Sequence, residues 1–304
     1  MSVALPAEFL AFAGRSDSWA EWLADLPRLI SDVLAEWSLV PDGAVRFGQS
    51  GCAVPVATAS GVVAVAKFGW PHPEARHEHL ALRAWAGAGA VRLLQADPRR
   101  SVLLLERADA DADLSSLPVI EACQVVAGLY GRLHRSAIPQ LDLLSGHAAR
   151  WADELSRLRD HRLVPRRYVE QATALARDFA SDPATDGTLL HTDLHYFNVL
   201  ASAREPWLVI DPKPLSGEPA YEVAPMLWNR WDEAVASGNL RSAVLDRMYA
   251  LVDDAELDED RVRAWVTLRQ MVNIKWSLTE GARDATDQTD WITTAITIIK
   301  AVQR

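Results

Sequence analysis

His191-Thr192-Asp193-Leu194-His195-Tyr196-Phe197-Asn198, followed nine residues later by Trp207-Leu208-Val209-Ile210-Asp211-Pro212, concentrates the chemically useful side chains of this 304-residue chain. Asp193 and Asn198 are five residues apart, in a segment too rich in turn formers to be one regular helix. Asp211 comes 13 residues after Asn198, at the end of a β-like run. A hairpin-sized excursion between them brings all three side-chain oxygens towards one spot. Three hard oxygen donors there suit Mg2+, with one carboxylate left to take a proton. Read alone, the same residues also describe a polar turn capped by Asp and Asn.

A second cluster lies upstream. Lys67 ends an otherwise apolar run, Val62-Val63-Ala64-Val65-Ala66, and a lysine in that place needs an anionic partner. Glu78, 11 residues on and inside an expected helix, reaches back from one helix face to orient the ammonium, with Glu74 as a weaker competitor. Phe47-Gly48-Gln49-Ser50-Gly51 forms a small-residue turn whose backbone N–H groups can face phosphate.

Around these clusters the texture divides the chain in two. Ser18 reads as the N-cap of a helix over 18–38, which Pro27 kinks or splits. Short β-like runs follow at 45–47, 54–59 and 62–68, the last two joined by a Ser60-Gly61 hairpin turn. A helix at 73–87 and strands at 91–95 and 102–106 complete a sheet of about five strands. Beyond Arg107 helices are expected within 117–135, 148–160 and 168–180, then a β-like patch over 189–210, and helices again from Pro219. The plan is two-lobed, joined at Glu106-Arg107, with a cleft between the lobes as the default ligand site.

Composition narrows the function classes. Hydrophobic residues at 49% and charged residues at 24% are those of an ordinary soluble protein. Charged side chains interrupt every apolar stretch well before 18 residues, and the N-terminus lacks a secretory pattern, so a cytoplasmic protein is expected. A formal charge of −10 argues against nucleic acid and membrane as partners. Cys52 and Cys123 have no metal-ligand spacing, and twelve tryptophans read chiefly as packing residues.

The order of a Gly-containing turn, a strand Lys, a helix Glu, His-x-Asp-x-x-x-x-Asn and an Asp after a strand resembles the eukaryotic-type kinases. It is closer to the aminoglycoside phosphotransferases, and closer again to the streptomycin 6-phosphotransferase group, the aminoglycoside/hydroxyurea resistance kinases. Ile210-Asp211-Pro212-Lys213-Pro214, Gly217-Glu218-Pro219-Ala220-Tyr221-Glu222, Asn229-Arg230, Ala66-Lys67-Phe68-Gly69-Trp70-Pro71, Leu103-Leu104-Leu105-Glu106-Arg107 and Leu129-Tyr130-Gly131-Arg132-Leu133-His134 carry the likeness. It implies an α/β (α+β) bilobal protein-kinase-like fold, with an antiparallel-sheet N-lobe with its leading helix over 1–107 and a mainly helical C-lobe over 108–304. It also implies ATP and Mg2+ as cofactors and a small-molecule hydroxyl, cationic as in streptomycin, as the acceptor. By the same resemblance Asp193 is the catalytic base or hydroxyl-orienting group, and Asn198 and Asp211 hold Mg2+. Lys67, paired with Glu78, meets the α/β-phosphates, and the backbone from Glu106 to Ala108 meets adenine. A monomer or homodimer is expected.

The sequence departs from the family pattern in three places. His191-Thr192-Asp193 replaces the usual His-Gly-Asp, the glycine-rich loop is reduced so that Ser50 is its main phosphate candidate, and Glu222 stands where Asp is usual. His191 and His134 are expected to anchor the catalytic loop rather than to react. For the acceptor, His195, Asp232, Glu233, Trp276 and Glu280 are the candidates. The acidic run at 253–260 reads as a solvated helix start or as a wall attracting a polycation. A kinase of an amino sugar or of hydroxyurea is the nearest alternative, and a non-catalytic nucleotide-binding scaffold the rival from another class.

Overall fold

Trp19, Leu23, Leu26, Ile30, Val33 and Leu34 recur at helical spacing and are all buried, and they make one stripe of the helix Asp17–Glu36. In the computed structural model, which describes residues 3–281 and 285–303 (the side chains of 280, 281 and 285–287 excepted), this helix is capped by Ser16. The Ser16 hydroxyl accepts the N–H of Trp19 at 3.3 Å, and Ser18, the expected cap, sits one residue inside the helix with its hydroxyl 2.9 Å from that of Ser16. The helix also runs through Pro27 as one element. Pro27, which has no N–H to give to the helix ladder, lies on the exposed face.

Six strands follow: β1 (Leu39–Pro41), β2 (Arg46–Gly48), β3 (Gly51–Thr58), β4 (Val63–Gly69), β5 (Leu93–Asp97) and β6 (Val102–Glu106). They form one antiparallel sheet in the order β1-β3-β4-β6-β5, with β2 paired to β3. One strand more than expected is present because β1, too short to show a period, gains its order from pairing with β3. Cys52, Val54, Val56, Ala64, Ala66 and Phe68 point to one face and pack with the leading helix into a single core. Lys67 belongs to the other face, which is only partly covered, and Val63 at the start of the same strand is 54% exposed. The run that looked apolar on both sides is therefore an alternating strand. The expected 73–87 helix is a 3-10 turn at Pro73–Ala75 and then the helix Glu78–Trp85.

Six longer helices make up most of the remainder: Val119–Leu133, Leu144–Ser156, Arg166–Ser181, Leu240–Asp254, Glu259–Trp276 and Ala285–Val302. Phe179 stacks on Trp265 with ring centroids 3.7 Å apart, and Tyr221 meets the same indole edge-on at 5.3 Å. A small antiparallel sheet interrupts the helices, Thr188–Leu190 in the middle with Arg135–Ser136 and Leu215–Gly217 on its sides. By their internal contacts Met1–Asp109 and Ser202–Leu208 form one compact unit, and Ala110–Ala201 with Val209–Arg304 form the other. Among the described residues no helix is long and apolar enough to cross a membrane.

Candidate active site

The pairing of Leu190 with Leu215 sets two loops side by side in the C-terminal unit, one leaving the strand at His191 and one arriving through Pro214. Three hydrogen bonds stitch them together. The Lys213 N–H donates to the His191 carbonyl at 3.0 Å, the Thr192 hydroxyl donates to the Lys213 carbonyl at 2.5 Å, and the Ile210 N–H donates to the Asn198 carbonyl at 2.9 Å. The segments bearing Asp193, Asn198 and Asp211 are thereby gathered within the C-terminal unit. His191 is fully buried. Its Nε2–H donates to the Ile210 carbonyl at 2.9 Å and its Nδ1 accepts the Asp193 N–H at 3.3 Å. Burial lowers its pKa and keeps the ring neutral, as a loop anchor should be.

Asp193 keeps a quarter of its side chain exposed and is held by a cation. The Lys213 ammonium lies 2.5 Å from Asp193 Oδ2 and 3.6 Å from Asp211 Oδ2, and His195 Nε2 is 3.9 Å from Asp193 Oδ1. Burial pushes the Asp193 carboxyl up, but Lys213 and then His195 outweigh it and hold the group below its ordinary value. Asn198 Nδ2 donates to the Asp193 carbonyl at 2.9 Å, which fixes the amide and leaves Oδ1 as its acceptor atom. His195 Nδ1 accepts the Phe197 N–H at 3.3 Å and caps the Tyr196–Asn198 turn, and its pKa is lowered by burial.

Thr192 and Asp211 both adopt left-handed backbone, with φ of 64° and 55°. Aspartate tolerates that region, whereas a β-branched residue there costs on the order of 1–2 kcal/mol. The strain persists because Thr192 is tied at both ends, its hydroxyl to Lys213 and its N–H to Glu222 Oε1 at 2.6 Å. Glu222 is completely buried. The same carboxylate takes the His191 N–H and, through Oε2, His134 Nε2 at 2.8 Å, while Tyr130 stacks on His134 and donates to the Glu222 carbonyl. Burial raises the Glu222 pKa, but His134 and the loop N–H bonds outweigh it and hold the group ionised.

Among the described residues no three His, Cys, Asp or Glu side chains converge as a metal cage. The oxygen donors beside Asp193 are one carboxylate, Asp211, and one amide, Asn198. That set fits Mg2+, which is usually bound through one or two protein oxygens and substrate phosphates rather than by a full protein cage.

In the N-terminal unit both oxygens of Glu78 lie 2.6 Å from the Lys67 ammonium, and Glu78 is nearly inaccessible. Glu74 turns to His72 instead. Ser50 and Gln49 are the tip of a two-residue hairpin closed by the Gly48–Gly51 pair, and the Ser50 carbonyl accepts the Trp70 N–H. A Cβ on Gly51 would overlap the Phe68 carbonyl, so only glycine fits there. Arg15, which sequence reasoning missed, grips the tip by donating to the Gln49 carbonyl at 2.7 Å and to its Oε1 at 2.6 Å. Its guanidinium lies 3.4 Å from the centroid of Phe12, in a cluster of rings with Phe9, Trp19, Trp22 and Phe47. Glu106 gives its N–H to Arg92 and its carboxylate to Arg204, and Ala108 is half-buried two residues on.

The acceptor candidates lie on different elements. His195 sits against Asp193 and Asn198. Asp232 and Glu233 lie exposed on the short helix Trp231–Ala236, and Glu233 is paired with Arg230 at 2.6 Å. Trp276 ends the helix Glu259–Trp276 with the Arg269 guanidinium 5.4 Å and the Lys275 ammonium 5.8 Å from its ring centroid. The side chain of Glu280 lies outside the described residues. Within the acidic run, Asp258 caps the helix Glu259–Trp276 through the Arg261 N–H at 2.9 Å. Cys52 and Cys123 are buried free thiols, pushed by burial up to about 12 and about 11.

Residues 36–281, most of the chain, match the aminoglycoside/hydroxyurea antibiotic resistance kinase family. The chain belongs to that family. As one of these kinases it is a phosphotransferase. It is 38% identical to a streptomycin 6-kinase of Streptomyces griseus over 265 residues, covering 86% of this chain and 85% of that one. It is 36% identical to a hydroxyurea phosphotransferase of Kitasatospora aureofaciens over 289 residues, covering 92% and 82%. A solved aminoglycoside phosphotransferase, in a ternary complex with ADP and hygromycin B, superposes at a TM-score of 0.59 with 17% identity and coverage of 89% and 97%. That likeness shows the protein-kinase-like fold for this resistance kinase.

Proposed function

We propose that this kinase transfers the γ-phosphate of ATP to a hydroxyl of a streptomycin-like aminoglycoside in the cytoplasm. Residues 1–107 serve as its nucleotide lobe and 108–304 as its catalytic and acceptor lobe. The observation that carries the reading is Asp193, a partly exposed carboxylate kept ionised by Lys213 beside Asn198 and Asp211. The 38% identity to a streptomycin 6-kinase supports the acceptor class, and a net charge of −10 suits a cationic one.

In this reading Asp193 orients the acceptor hydroxyl and takes its proton. The acceptor oxygen bonds to the γ-phosphorus, the bond from that phosphorus to the β–γ bridging oxygen breaks, and ADP leaves. Lys67, aimed by Glu78, contacts the α/β-phosphates, with the Ser50 hairpin as a further contact and the 106–108 backbone for the base. Asn198 and Asp211 would hold Mg2+, which when bound neutralises charge on the phosphates. His195, Asp232, Glu233, Trp276 and Glu280 remain the proposed acceptor contacts. Release of ADP from Mg-ATP is measured against streptomycin, other aminoglycosides, an amino sugar and hydroxyurea. Turnover with streptomycin, abolished by Asp193→Ala while Mg-ATP still binds, is the expected result. Turnover with hydroxyurea alone moves the acceptor to the class named by the 36% relative, and turnover surviving Asp193→Ala overturns the assignment of Asp193.

A further inference from the structure

The Lys213 side chain touches both acidic groups of the candidate site, at 2.5 Å from Asp193 and 3.6 Å from Asp211. Its placement is built rather than incidental. The residue is pinned from both sides of its own backbone, by its N–H to His191 and by its carbonyl to Thr192. Thr192 accepts left-handed strain in making that second bond. Only about a fifth of the Lys213 side chain is exposed, so the ammonium stays where the loops put it.

Two carboxylates this close to one cation are also two carboxylates that a divalent ion can bridge. A metal shared by Asp193 and Asp211 would be well bound and chemically wrong. Asp193 cannot give its oxygen to a metal and accept a hydroxyl proton with it at the same time. We propose that Lys213 is a positioning residue that occupies Asp193 Oδ2 and so confines the metal to Asp211 and Asn198, keeping the base free of it. Like-charge repulsion from the ammonium falls harder on a cation at Asp193, whose oxygen is 2.5 Å away, than on one at Asp211, whose oxygen is 3.6 Å away. The inference rests on the roles given above to Asp193 and Asp211, and it adds a residue that the generic kinase set does not supply.

The test is binding of Mn2+ to the nucleotide-free full chain, followed by electron paramagnetic resonance, alongside steady-state kinetics with Mg-ATP. Lys213→Met is expected to bind Mn2+ about 10-fold more tightly or more than wild type, because a bridging site opens. Its kcat should fall on the order of 10²-fold with KM for ATP within a few-fold. Asp193→Asn added to Lys213→Met should return Mn2+ affinity to the wild-type value, which a merely structural lysine would not do. Lys213→Arg, which keeps the charge, should hold Mn2+ affinity at wild type and recover most of kcat. Lys213→Gln gives the same readout as Lys213→Met if the latter loses its fold. Unchanged Mn2+ affinity in the neutral variants overturns the proposal and leaves the role of Asp193 standing. Full turnover in Asp193→Asn alone overturns both.

Discussion

Glu222 Oε1 accepts the backbone N–H of Thr192 at 2.6 Å, so a fully buried carboxylate holds the loop from which Asp193 projects. Glu222→Ala leaves the His191 and Thr192 N–H groups and His134 without their partner, and should cost on the order of 3 kcal/mol. The folded pKa of Glu222 lies below its unfolded one. Its contribution is therefore complete above the ordinary carboxylate range and is lost as pH falls through the folded value. Urea midpoints followed from about pH 6 down to about pH 3 should drop more steeply in wild type than in Glu222→Gln. Equal slopes would show that the carboxylate does not titrate across the unfolding transition.

Lys67 and Glu78 form a largely buried ion pair. Lys67→Met should take the cation away from a buried carboxylate at a cost on the order of 3 kcal/mol and lower kcat/KM for ATP on the order of 10²-fold. The double change Lys67→Met with Glu78→Met should recover most of the stability and none of the activity. Thermal melts and ATP kinetics on the same samples separate the two effects, and an active double variant would remove Lys67 from the nucleotide site.

Gly51 and Gly48 flank the same hairpin tip but differ in room. A Cβ at 51 overlaps the Phe68 carbonyl, while at 48 nothing lies within 4 Å. Gly51→Ala should destabilise the protein by about 1–3 kcal/mol and raise KM for ATP, and Gly48→Ala should stay within about 0.5 kcal/mol of wild type. Equal behaviour of the two variants would mean that the hairpin adjusts freely.

Thr192→Val keeps the branched side chain at φ 64° but deletes the donor to the Lys213 carbonyl. It should cost about 1–3 kcal/mol. Thr192→Ser keeps the donor and loses one methyl, so its melting point should stay near that of wild type. A valine variant as stable as the serine one would show that the hydroxyl does not hold the turn.

The parts of this molecule visible in its sequence are those fixed by local spacing or by motif order. The Ser60-Gly61 turn and the strand 102–106 fall where period and turn chemistry put them. The pairing of Lys67 with Glu78 follows from a strand and a helix close together in the chain. The strand Leu39–Pro41 was not visible, because three residues carry no period and its order comes from a partner. The helix cap moved from Ser18 to Ser16 because either hydroxyl suits the role and only the path of the preceding chain decides. Lys213 sits in a motif that gives it no task by spacing, since its bonds reach back 20 residues or more to His191, Thr192 and Asp193. Arg15 lies 34 residues from the hairpin it holds, and no spacing rule points from one to the other.

The grip of Arg15 on Gln49 has a consequence for how such a kinase can diverge. The matched family region begins at residue 36, yet the guanidinium and most of the rings around it come from before that point. Drift in this leading segment can retune the hairpin without altering a single residue of the shared chemistry. Swapping the segment between relatives is accordingly a way to vary the hairpin while the loops around Asp193 are left as inherited.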